Sequence, residues 1–153
     1  MTIETRIFGE VTIDDNKIIH FENGIVGFPD LTDFALIYDA EDGNDVGIRW
    51  MQSLQETNFA MPVMDPLLVK EDYNPIVDDE MLKSLGSLDV DQLLVLVTIT
   101  VPKDIKEMSA NLMGPLVINA ETKKAVQIIV DGDYPVKFPI YDILDARKKV
   151  GTC

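Results

Sequence analysis

The chain has 153 residues, 46% apolar and 26% charged, which is enough for one globular domain whose core needs no metal or disulfide staple. Its 27 acidic and 13 basic side chains leave a formal net charge of −14, which repels phosphate backbones and argues against direct nucleic-acid binding. The single cysteine, Cys153, excludes an intrachain disulfide, and neither a signal-peptide pattern nor an apolar run of roughly 20 residues occurs, so a cytoplasmic protein with no membrane segment is expected.

Short strands punctuated by turns dominate the reading in chain order. Thr2 to Phe8 and Val11 to Ile13 form the arms of a hairpin that turns at Gly9-Glu10, and Lys17 to Phe21 follows. Asn23-Gly24 is a turn pair, because both residues tolerate positive φ. Phe34 to Tyr38 ends in the polar loop from Ala40 to Asp45; Ile48, Trp50 and Gln52 then alternate with Arg49, Met51 and Ser53. Phe59 to Met64 stops at Asp65-Pro66. Asp78 to Gly86 reads as a short helix, with Asp78 as cap, Asp79 and Glu80 in the first turn, and Leu82 and Leu85 on one face.

Leu93 to Val101 is the strongest strand. One face holds Leu93, Val95, Val97, Ile99 and Val101, while the other turns polar along its length, from Leu94 and Leu96 to Thr98 and Thr100. Leu116 to Asn119 and Ala125 to Val130 form a hairpin around residues 121–124, closed by Asp131-Gly132-Asp133. Ile140, Ile143, Leu144 and Arg147 share the spacing of a final helix up to Lys149. The pattern as a whole predicts a mainly β, mainly antiparallel sandwich or barrel with one or two short helices.

Chemistry is sparse. The single histidine, His20, sits in a predicted strand and lacks the companions a zinc site needs. The acidic loop around Gly43 has Tyr38 and Ala40 where an EF-hand needs its first ligands. Carboxylate pairs alone can hydrolyse glycosides, but 27 acids offer no means of choosing a pair. No catalytic, cofactor or metal residue is assigned, and a carboxylate-dependent hydrolase is the weakest alternative. Charge is nevertheless concentrated, with thirteen carboxylates between Asp30 and Glu80 opposed only by Arg49 and Lys70. Such a face either keeps the protein soluble or steers a basic partner.

Several segments together resemble the FliW family of flagellar assembly factors. They are Phe21-Glu22-Asn23-Gly24-Ile25-Val26-Gly27-Phe28-Pro29, Met51-Gln52-Ser53-Leu54, Phe59-Ala60-Met61 with Asp65-Pro66, Tyr73, and the run from Asn111 through Met113-Gly114-Pro115 to Asn119, with Gln127 and Tyr134. The resemblance runs from about Ile3 to Phe138. Val26 stands where the family often has proline, Met61 where phenylalanine is common, and Gly114 where alanine is usual.

The resemblance implies a small β-barrel-like domain over 1–139 and no catalysis; the tail 140–153, helical by its spacing and read as part of the same domain, is longer than usual in the family and either caps the barrel or has no role. It also implies two partners. One is CsrA, an RNA-binding translational repressor antagonised allosterically; the other is flagellin, which competes for the same protein. An acidic mimic of RNA, occupying the RNA site of a basic partner, is the alternative. Partner contacts are expected at exposed residues in or near the matched motifs: Gln52, Asp65, Tyr73, Thr98, Thr100 and Asn111, with Asp78, Asp79 and Glu80 as steering charges. Tyr73 is read as an anchor on the surface, with an inward, core position as the competing reading. Asn111 and Asn119 have a structural reading too, as amides that satisfy turn backbone groups.

Overall fold

Alternating apolar residues and turn-forming pairs divide the chain into short strands. The computed structural model describes residues 2–6, 8–37, 48–73, 80, 83, 85, 93–130 and 134–151, the last five by backbone alone. The strands are β1 (Thr2–Thr5), β2 (Gly9–Thr12), β3 (Ile19–Phe21), β4 (Asp33–Ile37), β5 (Arg49–Ser53) and β6 (Ala60–Met64). Then come β7 (Leu93–Thr100), β8 (Ser109–Ala110), β9 (Leu116–Asn119), β10 (Lys124–Gln127), β11 (Phe138–Pro139) and helix α1 (Tyr141–Gly151).

Seven of these close a barrel in the order β3-β4-β5-β6-β7-β9-β10. Closure comes from β7 against β9, in register from Leu93↔Asn119 to Leu96↔Leu116, and from β10 returning parallel to β3 at Ala125↔Phe21. The other barrel pairings are antiparallel. The two-residue side-chain period of a strand sends Phe21, Phe34, Met51, Val63, Leu96 and Leu116 into the interior, where Phe21 meets Phe34 edge-on at 5.5 Å. Each such buried side chain contributes about 1.5–3 kcal/mol, so the barrel is a filled core and not a lumen.

Residues of the opposite parity face outward and need covers. The β1–β2 hairpin covers β4 and β5 through Ile3, Val11, Ile13 and Ala35. Helix α1 covers β6 and β7, with Ile140 and Leu144 packed against Met64, Val97 and Ile99. Leu85, Ile128 and Val130 cover Val117 on β9. The final helix is thus part of the packing. It runs from Tyr141 to Gly151, close to the span read from its apolar spacing.

Several boundaries shift for local reasons. The first hairpin does not turn at Gly9-Glu10, because Gly9 already pairs with Thr5. There the Thr5 hydroxyl accepts the Phe8 N–H and donates to the Gly9 carbonyl, both at 2.9 Å. The third strand loses its first residues to a 3-10 turn at Asp15–Lys17. Of the 78–86 helix only Glu80, Lys83 and the fully buried Leu85 are described; the loop 40–45 and the 131–133 turn lie outside the described residues. Asn119 does what a turn amide does: its Oδ1 accepts from Glu121 and Thr122, and its Nδ2 donates to the Leu85 carbonyl.

The Asn23-Gly24 turn allows a direct test. Gly24 has φ +68, and a Cβ there would lie 2.6 Å from the carbonyl oxygens of Phe28 and Pro29. Backbone strain and clash add, so Gly24→Ala is expected to destabilise the fold by at least about 2 kcal/mol, read as a lower melting temperature. A melt within a degree of wild type would contradict this account of the turn.

Candidate protein-binding surface

Strand β7 changes partners along its length, and the exposed surface follows from that change. Leu96 faces Leu116, whereas Ile99, three residues on, faces Ala110, six residues back. The strand running beside β7 therefore carries three extra residues, which bulge out at 111–115. Asn111 holds the bulge: its N–H donates to Thr98 O at 2.9 Å, and its Oδ1 accepts the N–H groups of Met113 and Gly114 at 3.1 and 3.0 Å. On the other side the chain beyond β10 pairs with it, Ile128 N donating to Pro115 O and Val130 N to Met113 O.

Gln127 joins this bulge to the Asn23-Gly24 turn. Its Nε2 donates to Gly114 O at 3.0 Å and its Oε1 accepts the Val26 N–H at 2.7 Å. At Gly114 a Cβ would come 3.1 Å from both Asn111 Nδ2 and Gln127 Nε2, so the missing side chain lets the two amides close over the bulge. A groove of about 380 Å³ runs between residues 22–27 and 125–127. Around it stand exposed large apolar side chains: Val26 at 65% exposure, Ile129 at 54% and Phe28 at 45%, the last resting on Phe59 with ring centres 4.8 Å apart. Glu22 and Asp30 are exposed beside them. An apolar centre with an acidic rim is the anatomy of a protein-recognition patch.

The residues expected to touch partners divide. Thr98, half-buried, and Asn111 meet directly through the hydrogen bond above, and Thr100 is exposed at the end of β7. Asp65 is half-buried and its carboxylate accepts the Leu67 N–H at 2.9 Å, capping the turn at Pro66–Leu68. Glu80 is exposed and paired with Lys83 at 2.8 Å; Asp78 and Asp79 lie outside the described residues.

Two of the residues are not on the surface at all. Gln52 points out of the barrel, but the N-terminal hairpin lies over it, and it is fully buried with its Nε2 donating to the carbonyls of Ser53, Thr57 and Phe59. Tyr73 is buried as well: its ring packs edge-on against Tyr134 at 4.8 Å and its hydroxyl donates to Leu112 O at 2.6 Å. Both are corrected to structural residues. The residues missed in the sequence are Val26, Phe28 and Ile129. The sequence held no signal that separates them, since Ile25 in the same turn is buried in the barrel core.

Among the described residues no cluster of His, Cys, Asp and Glu is placed to hold a metal ion, and no helix is long and apolar enough to cross a membrane. Fold and surface define a small closed β-barrel protein with an exposed apolar patch at one barrel end. The FliW protein family matches residues 2–140, and the chain belongs to that family. The flagellar assembly factor FliW of Lachnospira eligens is 43% identical over 146 residues, spanning 94% of this chain and 97% of that protein. That of Lachnoclostridium phytofermentans is 40% identical over 156 residues and matches along the full length of both. A crystal structure of the flagellar assembly factor FliW superposes with a TM-score of 0.83 at 25% identity, covering 92% of this chain and 97% of that one.

Tyr73 yields two measurable consequences. Its burial, helped by Tyr134 nearby, pushes the phenol up to about 12. Between its ordinary value near 10 and that value, the unfolded chain releases the proton while the folded chain keeps it, so stability falls as pH rises through this window. Denaturant titrations of Tyr73→Phe should show a shallower alkaline loss than wild type. At neutral pH the same variant should cost about 1–3 kcal/mol, because the Leu112 carbonyl is left unpaired, and Tyr73→Ala about 3–5 kcal/mol. Wild-type stability in Tyr73→Ala would return the residue to the surface.

Proposed function

We propose that this protein is a cytoplasmic, non-catalytic flagellar assembly factor that binds the translational repressor CsrA and relieves its repression, and that also binds flagellin. The observation that carries this reading is similarity along the whole chain to proteins named flagellar assembly factor FliW. In this reading CsrA is antagonised allosterically, away from its RNA site. Flagellin competes for the protein, so unsecreted flagellin frees CsrA and limits its own synthesis.

The surface divides the work between anchoring and steering. Val26, Phe28 and Ile129 lose water on binding and hold the complex, as a few central apolar residues usually do. Thr98 and Asn111, joined at the bulge, are polar contacts at its rim; Thr100 lies beyond it, paired with Ser109. The carboxylates between Asp30 and Glu80, Asp78 and Asp79 among them, act on approach. At least five of the thirteen have local work as well: Asp72 with Lys70 at 3.0 Å, whose ammonium holds that carboxyl below the usual carboxylate range, Asp33 with His20 at 2.7 Å, Glu80 with Lys83, and Asp65 and Glu56, which accept the N–H groups of Leu67 and Asn58.

Surface-binding kinetics with purified CsrA separate these roles. Association should slow as salt rises from about 50 to 500 mM, where the Debye length shrinks about threefold. Val26→Asp with Ile129→Asp, both exposed, should leave the melt unchanged and raise the dissociation rate about tenfold or more. Saturating RNA should not exclude the protein from CsrA. Strict competition with RNA would favour the acidic mimic, and no binding to CsrA at all would overturn the proposal.

A further inference from the structure

Beyond Thr98 the last residues of β7 leave the barrel and form a three-stranded flap with β8 and β11. Ile99 faces Ala110, which faces Phe138, and these three turn inward onto the cluster beneath α1. The next row, Thr100, Ser109 and Pro139, faces the other way. It floors a second groove of about 460 Å³, walled by Pro102, Lys106, Glu107 and Lys137. Three exposed apolar residues, each next in sequence to a lining residue, flank it: Val101 at 51%, Ile105 at 52% and Val136 at 51%.

The charge here runs against the rest of the molecule. Residues 98–110 and 134–139 hold Lys103, Lys106 and Lys137 against Asp104 and Glu107, a net of +1 in a chain of −14. Asp104 is engaged locally, its carboxylate accepting the Lys106 N–H at 3.1 Å to cap the turn at Ile105–Glu107. The ion pairs seen among the described residues include His20–Asp33, Lys70–Asp72 and Lys83–Glu80, and neither Lys106 nor Lys137 is seen matched with a carboxylate there. An approaching acid meets repulsion over most of this protein and two available ammonium groups at the flap.

We propose that the outer face of the β7–β8–β11 flap is a docking groove for an extended, acidic segment of a partner protein. Carboxylates of the segment face Lys106 and Lys137, and its alternate apolar side chains cover Val101, Ile105 and Val136. The floor of small and proline side chains leaves room for a main chain to lie flat. The groove is distinct from the Val26 patch, on the far side of the 111–115 bulge, and its chemistry is the reverse: it selects acids, where the acidic rim of that patch selects bases. It does not depend on CsrA being a partner.

The test uses the full-length protein and a fluorescein-labelled synthetic peptide that alternates glutamate with valine and leucine, beside a peptide with lysine in place of every glutamate. Fluorescence anisotropy should show saturable, salt-sensitive binding of the acidic peptide and none of the basic one. Lys106→Glu with Lys137→Glu should weaken the acidic peptide about tenfold or more while Val26→Asp leaves it unchanged. Because reversal adds charge to an already acidic chain, Lys106→Gln with Lys137→Gln is measured alongside, and a thermal melt of each variant checks folding. Equal binding of the two peptides, or unchanged affinity in a lysine variant that melts like wild type, would overturn the proposal, as would loss of acidic-peptide binding in Val26→Asp.

Discussion

The structure depends on one strand serving two sheets. The first half of β7, Leu93 to Leu96, closes the barrel against β9. Its last residues pair with β8 and carry the flap. A single straight neighbour cannot satisfy both halves, because the barrel curves away from the flap. Three extra residues in the 111–115 segment resolve the conflict, as bulges do at barrel rims. They leave backbone N–H groups that the closing strands cannot reach, and one short amide side chain, Asn111, satisfies two of them.

From that constraint the surface follows. The bulge needs support on its far side, and the extension of β10 with the Gln127 amide provides it. Because Gln127 spends its other atom on Val26, the turn bearing Val26 and Phe28 is fixed in place and not free to fold back over them. Apolar groups held outward in this way cost solvation in the free protein, a cost that a partner bound there would offset. Phe21, Phe34, Met51 and Leu96 fill the barrel interior, and the exposed apolar groups lie where strands enter and leave it.

Much of this architecture was legible in the sequence, and the failures share a cause. The alternation from Leu93 to Thr100 forecast both the strand and the fading burial of its second face, because side-chain period is a local property. Asn111 and Asn119 were legible as turn amides for the same reason. Gln52 was misread because strand parity says which way a side chain points but not what lies there; the cover, a hairpin from the N-terminus, is a tertiary fact. Tyr73 was misread because Asp72 beside it is exposed, whereas Tyr73 is turned toward Tyr134, 61 residues along the chain. Exposed apolar residues such as Val26, Ile129 and Val136 give no sign in composition, since a valine reads alike in a core and on a patch.

In the proposed function, this barrel grips another protein through the surface organised by the bulge. Hydrogen exchange of the backbone amides, with and without bound CsrA dimer, tests it most directly. The account predicts slowed exchange on binding in residues 22–29 and 125–130, with the β1–β2 hairpin unchanged. Protection confined to that hairpin, or a stable complex that leaves 22–29 and 125–130 as exchangeable as before, would contradict it.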